Sequence, residues 1–164
     1  GSRRGSCVTR TMLDDLALLL LAPIAQNDTV PALNARIVAY ALEQESHKVD
    51  RGECWDLAAQ ALNRAGADWD GLYGFGRAYD RRKEAILPGD IMQFEGVTME
   101  TRTKGGMERF SFGKHTAIVV AVRGPGKVTI AHQNFGPTGR KVSQLELDLS
   151  TVTKGRILLY RPVQ

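Results

Sequence analysis

The chain has 164 residues, 43% of them hydrophobic and 24% charged, with 22 Lys and Arg against 18 Asp and Glu for a formal net charge of +4. Those fractions match folded soluble domains and exclude a disordered chain, a collagen-like repeat or a coiled coil. No apolar run approaches the ~18 residues of a membrane span, and two cysteines, Cys7 and Cys54, cannot build a disulfide framework.

In chain order, residues 1–29 read as an N-terminal extension. It opens on a Gly1-Ser2 tag scar and holds one short helix from about Met12 to Leu21. From residue 30 a single domain is expected to run to residue 164. Pro31 suits a first helical turn, and Leu33, Ile37, Val38, Tyr40, Ala41 and Leu42 recur at helical spacing. A second helix is predicted over Cys54 to Ala65. Trp55, Leu57, Ala58, Ala61, Leu62 and Ala65 form its apolar stripe, and Gly66 sits where a terminating glycine belongs. Residues 66–88 show no steady period and read as a long loop with one short helix.

After Pro88-Gly89-Asp90 the period changes to two. Strands are expected over Asp90–Phe94, Val97–Thr103, Met107–Phe112, His115–Val122, Lys127–Gln133, Lys141–Asp148 and Arg156–Tyr160. Lys104-Gly105-Gly106 and Gly124-Pro125-Gly126 are hairpin turns. Helices first and about five to seven antiparallel strands afterwards predict an α+β domain with the helices packed on the sheet.

Cys54 is the most informative residue, because a cysteine in a helix's first turn meets free N–H groups and a helix dipole that favour thiolate. His115 begins one strand and His132 ends its hairpin neighbour, so antiparallel pairing sets both imidazoles at one place in the sheet. His132 and Asn134, two residues apart, are expected on one side of the strand with Gln133 opposite. A thiol, an imidazole base and a polar residue that orients the base form a generalised catalytic triad. His47 lies in a polar stretch and reads as a surface residue. Zinc on Cys54, His115 and His132 is set aside, since no short-range ligand pair accompanies them; no metal or cofactor is expected. Arg77, Arg81, Arg82 and Lys83 read as a solvated face and not as a nucleic-acid site. Trp55, Asp56, Trp69, Tyr73 and Tyr79 are candidates to line a substrate groove, with Trp55 more simply a core residue.

Four segments in order, Gly52-Glu53-Cys54-Trp55, Leu87-Pro88-Gly89-Asp90-Ile91-Met92-Gln93-Phe94, His115-Thr116-Ala117-Ile118-Val119 and His132-Gln133-Asn134-Phe135-Gly136, resemble the CHAP and NlpC/P60 branch of papain-like cysteine hydrolases. The resemblance runs from about Leu33 to Pro162. It implies a papain-like fold, with Cys54 as nucleophile, His115 as base and then acid, and either His132 or Asn134 as the residue that orients His115. His132 stands where CHAP domains often carry an acidic residue, and Lys114 where a glycine often precedes the histidine. The Cys54 N–H is the natural oxyanion donor, and Lys48, Asp50 and Arg51 are nearby candidates to complete the hole. The resemblance further implies a monomeric, secreted or periplasmic amidase or endopeptidase acting on peptidoglycan peptides. A deamidase, acyltransferase or toxin acting on protein or lipid, and a non-catalytic binding domain of the same fold, are the alternatives. A disulfide from Cys7 to Cys54 would silence such a thiol.

Overall fold

A computed structural model describes residues 29–164. The predicted helix from Met12 to Leu21 and Cys7 lie outside the described residues. Two helices come first, α1 over Ala32–Glu43 and α2 over Cys54–Ala65. Six strands follow: β1 over Arg77–Tyr79, β2 over Ile91–Thr103, β3 over Gly106–Gly124, β4 over Lys127–His132, β5 over Ser143–Asp148 and β6 over Val152–Arg161. They form one antiparallel sheet in the order β1-β6-β2-β3-β4-β5. This is the α+β, helices-then-sheet architecture expected from the sequence.

Both helices form for the reasons their sequences offer. α2 buries Leu57, Ala58, Ala61, Leu62 and Ala65, and Gly66 ends it in the left-handed conformation at φ +73°. α1 buries Leu33, Asn34, Ile37 and Ala41, while Leu42, expected in its apolar face, is exposed. In the sheet, period-two alternation divides the core in two. Ile91, Ile118, Val120 and Ala131 pack against α1 and α2. Met92, Phe94, Ala117, Val119, Val128 and Ile130 point to the other face and make a second cluster with Val97, Phe112, Leu147 and Leu159.

Three strand expectations need correction. The runs expected as separate strands on either side of Glu95-Gly96 are one strand, β2, with a bulge there; β3 pairs continuously beside it from Ile118 to Gly106 and carries the ladder across the glycine. Likewise Met107–Phe112 and His115–Val122 merge into β3, turning into β2 through Lys104-Gly105. The supposed loop of residues 66–88 contains β1, whose three residues pair with Leu159, Tyr160 and Arg161 at the far end of the chain.

The Pro-Gly-Asp segment locks helix to sheet. Gly89 has φ +89°, and a Cβ there would lie 2.6 Å from Asn34 Cα, so the turn needs glycine both for its conformation and for the close approach of α1. Asp90 is fully buried and accepts five hydrogen bonds: from Asn34 Nδ2 (3.1 Å), Tyr79 OH (2.5 Å), Leu87 N (2.8 Å), Arg161 Nε (2.7 Å) and Arg161 Nη2 (2.9 Å). Burial beside this carboxylate pushes the Tyr79 phenol above its ordinary range. Tyr79 therefore belongs to the structural framework and not to a substrate groove.

Candidate active site

α2 is held by its first turn. Asp56 is buried, accepts from the Glu53 N–H (3.0 Å) and receives Arg51 Nη2 (2.6 Å), so it caps the helix and does not face a groove. One nitrogen of Arg51, Nη2, is engaged by Asp56. Gln133 then fastens the segment before the helix to the sheet. Its amide accepts from Val49 N (3.1 Å) and donates to Val49 O (3.0 Å) and Glu53 O (2.8 Å). Glu53 in turn binds Arg140 Nη1 (2.5 Å) and Asn134 Nδ2 (2.8 Å). These contacts set the start of α2 against the end of β4.

Cys54 is the first residue of that helix and is partly buried. Its backbone N–H has no acceptor among the described residues. A free N–H at a helix start is the kind of donor that receives a developing oxyanion.

The two histidines come together as the strand pairing predicts. The β3–β4 register runs to Ile118 opposite Ala131, and one step further along both strands lies His132. His115 Nε2 and His132 Nδ1 are 3.0 Å apart, with the rings nearly perpendicular. Both side chains emerge on the face that carries Phe94, Ala117 and Ile130, the face away from the helix-packed core. Phe112 stacks on His115 with 5.3 Å between centroids, and Phe135 lies 5.5 Å from each imidazole. Burial in this aromatic surround lowers His115 to a pKa of about 3, helped by the adjacent His132, and burial lowers His132 to about 4. Both rings are neutral at physiological pH, so one nitrogen of the pair donates and the other accepts.

His115 is buried, and its Nδ1 makes no hydrogen bond among the described residues. β4 ends at His132, and the next two residues, Gln133 and Asn134, hold Glu53 just ahead of α2. No hydrogen bond joins Cys54 to either histidine among the described residues.

The expectation for Asn134 is corrected. Asn134 has φ +61°, which breaks the alternation that would have put it on the side of His132, and its amide goes to Glu53. It does not touch His115. Of the expected groove residues, Trp55, Trp69 and Tyr73 join one aromatic cluster through Phe75. Trp55 donates to Leu72 O (2.5 Å) and packs beside Trp69, with both rings against the helix-side core. Tyr73 is exposed, with Lys114 Nζ 3.5 Å above its ring. His47 is exposed and bonded to Glu45 O. Arg77 and Arg82 are ion-paired with Glu84 and Asp80. Among the described residues no group of three or more His, Cys, Asp and Glu could hold a metal ion, and no helix is long and apolar enough to cross a membrane.

Sequence reasoning gave no role to Gln133, Glu53 or Arg140. For Gln133 the signal was available: an amide amid apolar strand residues, alternating with His132, must face the helix side and needs partners there. Cavity size does not mark the site. A cavity of about 510 Å³ lies at the opposite end of β3, lined by Ile86, Val122 and Val128, whereas one of about 410 Å³ is lined by His132, Phe110 and Phe135.

Comparison with known proteins gives three findings. A family model described as the AIM3/BBC1 cysteine proteinase-fold domain matches residues 31–164. The chain is similar to Altered inheritance of mitochondria protein 3 of Debaryomyces hansenii, at 25% identity over 149 residues, covering 77% of this chain and only 15% of that protein. Among solved structures it is similar to Ly7917, at 20% identity and TM-score 0.45 over 77% of this chain and 62% of that one. It is likewise similar to Ly7917 with the hydrolyzing product of MDP, at 18% identity and TM-score 0.48 over 79% and 62%. The matched family carries the papain-like cysteine proteinase fold, without pointing specifically to the CHAP and NlpC/P60 branch that the motifs resemble.

Proposed function

This chain belongs to the AIM3/BBC1 cysteine proteinase-fold domain family, and we propose that it is a thiol-dependent hydrolase of amide bonds in polypeptides. Cys54 is the nucleophile in this reading, His115 the base and then acid, and His132 the residue that orients His115. One observation carries it. The 3.0 Å contact between His115 Nε2 and His132 Nδ1 leaves His115 Nδ1 without a hydrogen-bond partner.

With Nε2–H donating to His132, Nδ1 holds the lone pair, and a neutral imidazole is the form that takes a thiol proton. The Cys54 sulfur then attacks the carbonyl carbon, and its own N–H receives the oxyanion. His115 returns the proton to the leaving amine. Water, deprotonated by the same nitrogen, next attacks the thioester and frees the acid. His132 steadies the imidazolium through Nε2–H, while Phe112 and Phe135 keep water off that bond.

Peptidoglycan, the substrate implied by the CHAP and NlpC/P60 resemblance, gains nothing from the comparisons, whose named relative is a yeast protein. A second reading, a non-catalytic domain of the same fold, is favoured by the missing hydrogen bond between Cys54 and His115. Catalytic contacts are often long in free sites and tighten with substrate, so the two readings are separated by turnover. The test incubates the protein and its Cys54→Ala variant with a denatured-protein digest and, separately, with peptidoglycan, and follows fragments by mass spectrometry. New peptide termini produced by the wild type alone support the proposal. Fragments from peptidoglycan alone redirect the substrate, and no fragments from either leave the non-catalytic reading.

A further inference from the structure

β3 is 19 residues long, but β4 pairs only with its second half, from Ile118 onward. From Gly106 to Lys114 its one neighbour is β2. Among the described residues the other flank of this stretch makes no backbone hydrogen bond. It is a sheet edge inside the molecule's own topology, with unpaired N–H and C=O groups able to accept another strand. The edge is also apolar on one face. Phe110, on the face that also carries Phe112, is 40% exposed. Beside Phe110 opens the cavity of about 410 Å³, lined by His132, Phe135, Pro137 and Leu145.

The edge leads directly to the histidines. Phe112 stacks on Phe135 at 4.6 Å and on His115 at 5.3 Å, so Phe110, Phe112 and His115 follow one another along a single strand face. We propose that the free edge of β3 from Gly106 to Lys114 binds the substrate polypeptide as an added strand, with one large apolar side chain seated in the Phe110–Phe135–Leu145 cavity. This rests on the hydrolase reading and names its substrate class: an unfolded or extended segment with a bulky apolar residue near the bond to be cut. Backbone pairing supplies affinity without regard to sequence, and the cavity supplies the choice of residue. The occupant is a peptide because the edge is continuous with His132 and His115, where a bound strand meets the chemistry.

The test uses the full chain carrying Cys54→Ala, so that binding is read without turnover. Capped peptides of about nine residues, identical except for a central Leu, Phe, Gly or Asp, are titrated while amide exchange is followed by mass spectrometry. The Leu and Phe peptides are expected to slow exchange across residues 106–114. They should bind at least about tenfold more tightly than the Gly and Asp peptides. Phe110→Ala and Leu145→Ser, each verified as folded by circular dichroism, should remove most of that preference. Binding without protection of 106–114, or a preference indifferent to both variants, overturns the proposal. So does protection already present without peptide, which indicates a second copy of the chain on the edge if it rises with protein concentration. Hydrolysis by the wild type is measured in parallel with the same peptides. Turnover without edge protection sinks this inference and spares the hydrolase reading, whereas edge binding without turnover does the reverse.

Discussion

Asp90 and the His115–His132 pair are both polar groups buried next to the same central strands, yet they are finished to different degrees. Asp90 accepts from Asn34, Tyr79, Leu87 and Arg161, and its charge is matched by the guanidinium that holds it. The histidine pair makes a single bond and leaves His115 Nδ1 and His132 Nε2 without one, and the Cys54 N–H is also unspent. A saturated buried site can only hold the fold together, whereas an unsaturated one keeps capacity for a ligand.

That contrast breaks most visibly at Cys54. Cys54→Ala should lower amide turnover by about 10⁴-fold while leaving the melting temperature unchanged, because a partly buried sulfur packs little. Equal activity of the two proteins on the same peptides would remove the thiol from the chemistry. Asp90→Ala should do the opposite, costing about 3–5 kcal/mol through an unpaired buried Arg161, and any activity loss should track the unfolded fraction. Chemical denaturation of the variant measures that cost, and a loss under 1 kcal/mol on the same scale would show the hub to be dispensable.

A smaller effect separates the two candidates for the orienting role. His132→Ala should reduce turnover about a hundredfold, whereas Asn134→Ala, which loses only its bond to Glu53, should stay within about threefold. The reverse order would restore Asn134 to the position the sequence pattern offered it.

The smallest effect is on stability against pH. Both imidazoles bind a proton more readily in the unfolded chain, near 6.5, than in the fold, where burial lowers them to about 3 and 4. Stability is therefore full above pH ~6.5 and falls as the pH drops toward 4, by at least on the order of 1 kcal/mol. His132→Leu should flatten that slope in urea titrations at about pH 7 and about pH 4.5. An unchanged slope would assign the pH dependence to the carboxylates.

Where local chemistry decided the structure, the sequence was readable. The helix from Cys54 to Ala65 and its glycine stop follow from periodicity and one left-handed residue. The meeting of His115 and His132 follows from a two-residue turn at Pro125-Gly126. Long-range pairing was not readable, since β1 has three residues and its partner lies at the opposite end of the chain. Gly96 looked like a strand boundary because glycine weakens strands, yet the neighbouring β3 carried the ladder across it. At the site, alternation assigned Asn134 correctly only while the backbone stayed extended, and its positive φ turned the side chain to Glu53. Alternation put the Gln133 amide on the helix side, but its partners Val49 and Glu53 lie eighty or more residues away and no local pattern names them.

The central claim is that Cys54 and His115 act as one unit, and the rate of Cys54 alkylation at neutral pH tests it most directly. Reaction with iodoacetamide should proceed readily at neutral pH in the wild type, and His115→Ala should slow it by about tenfold or more. A Cys54 that reacts at the same rate in both proteins would contradict the account, leaving the fold without its proposed chemistry.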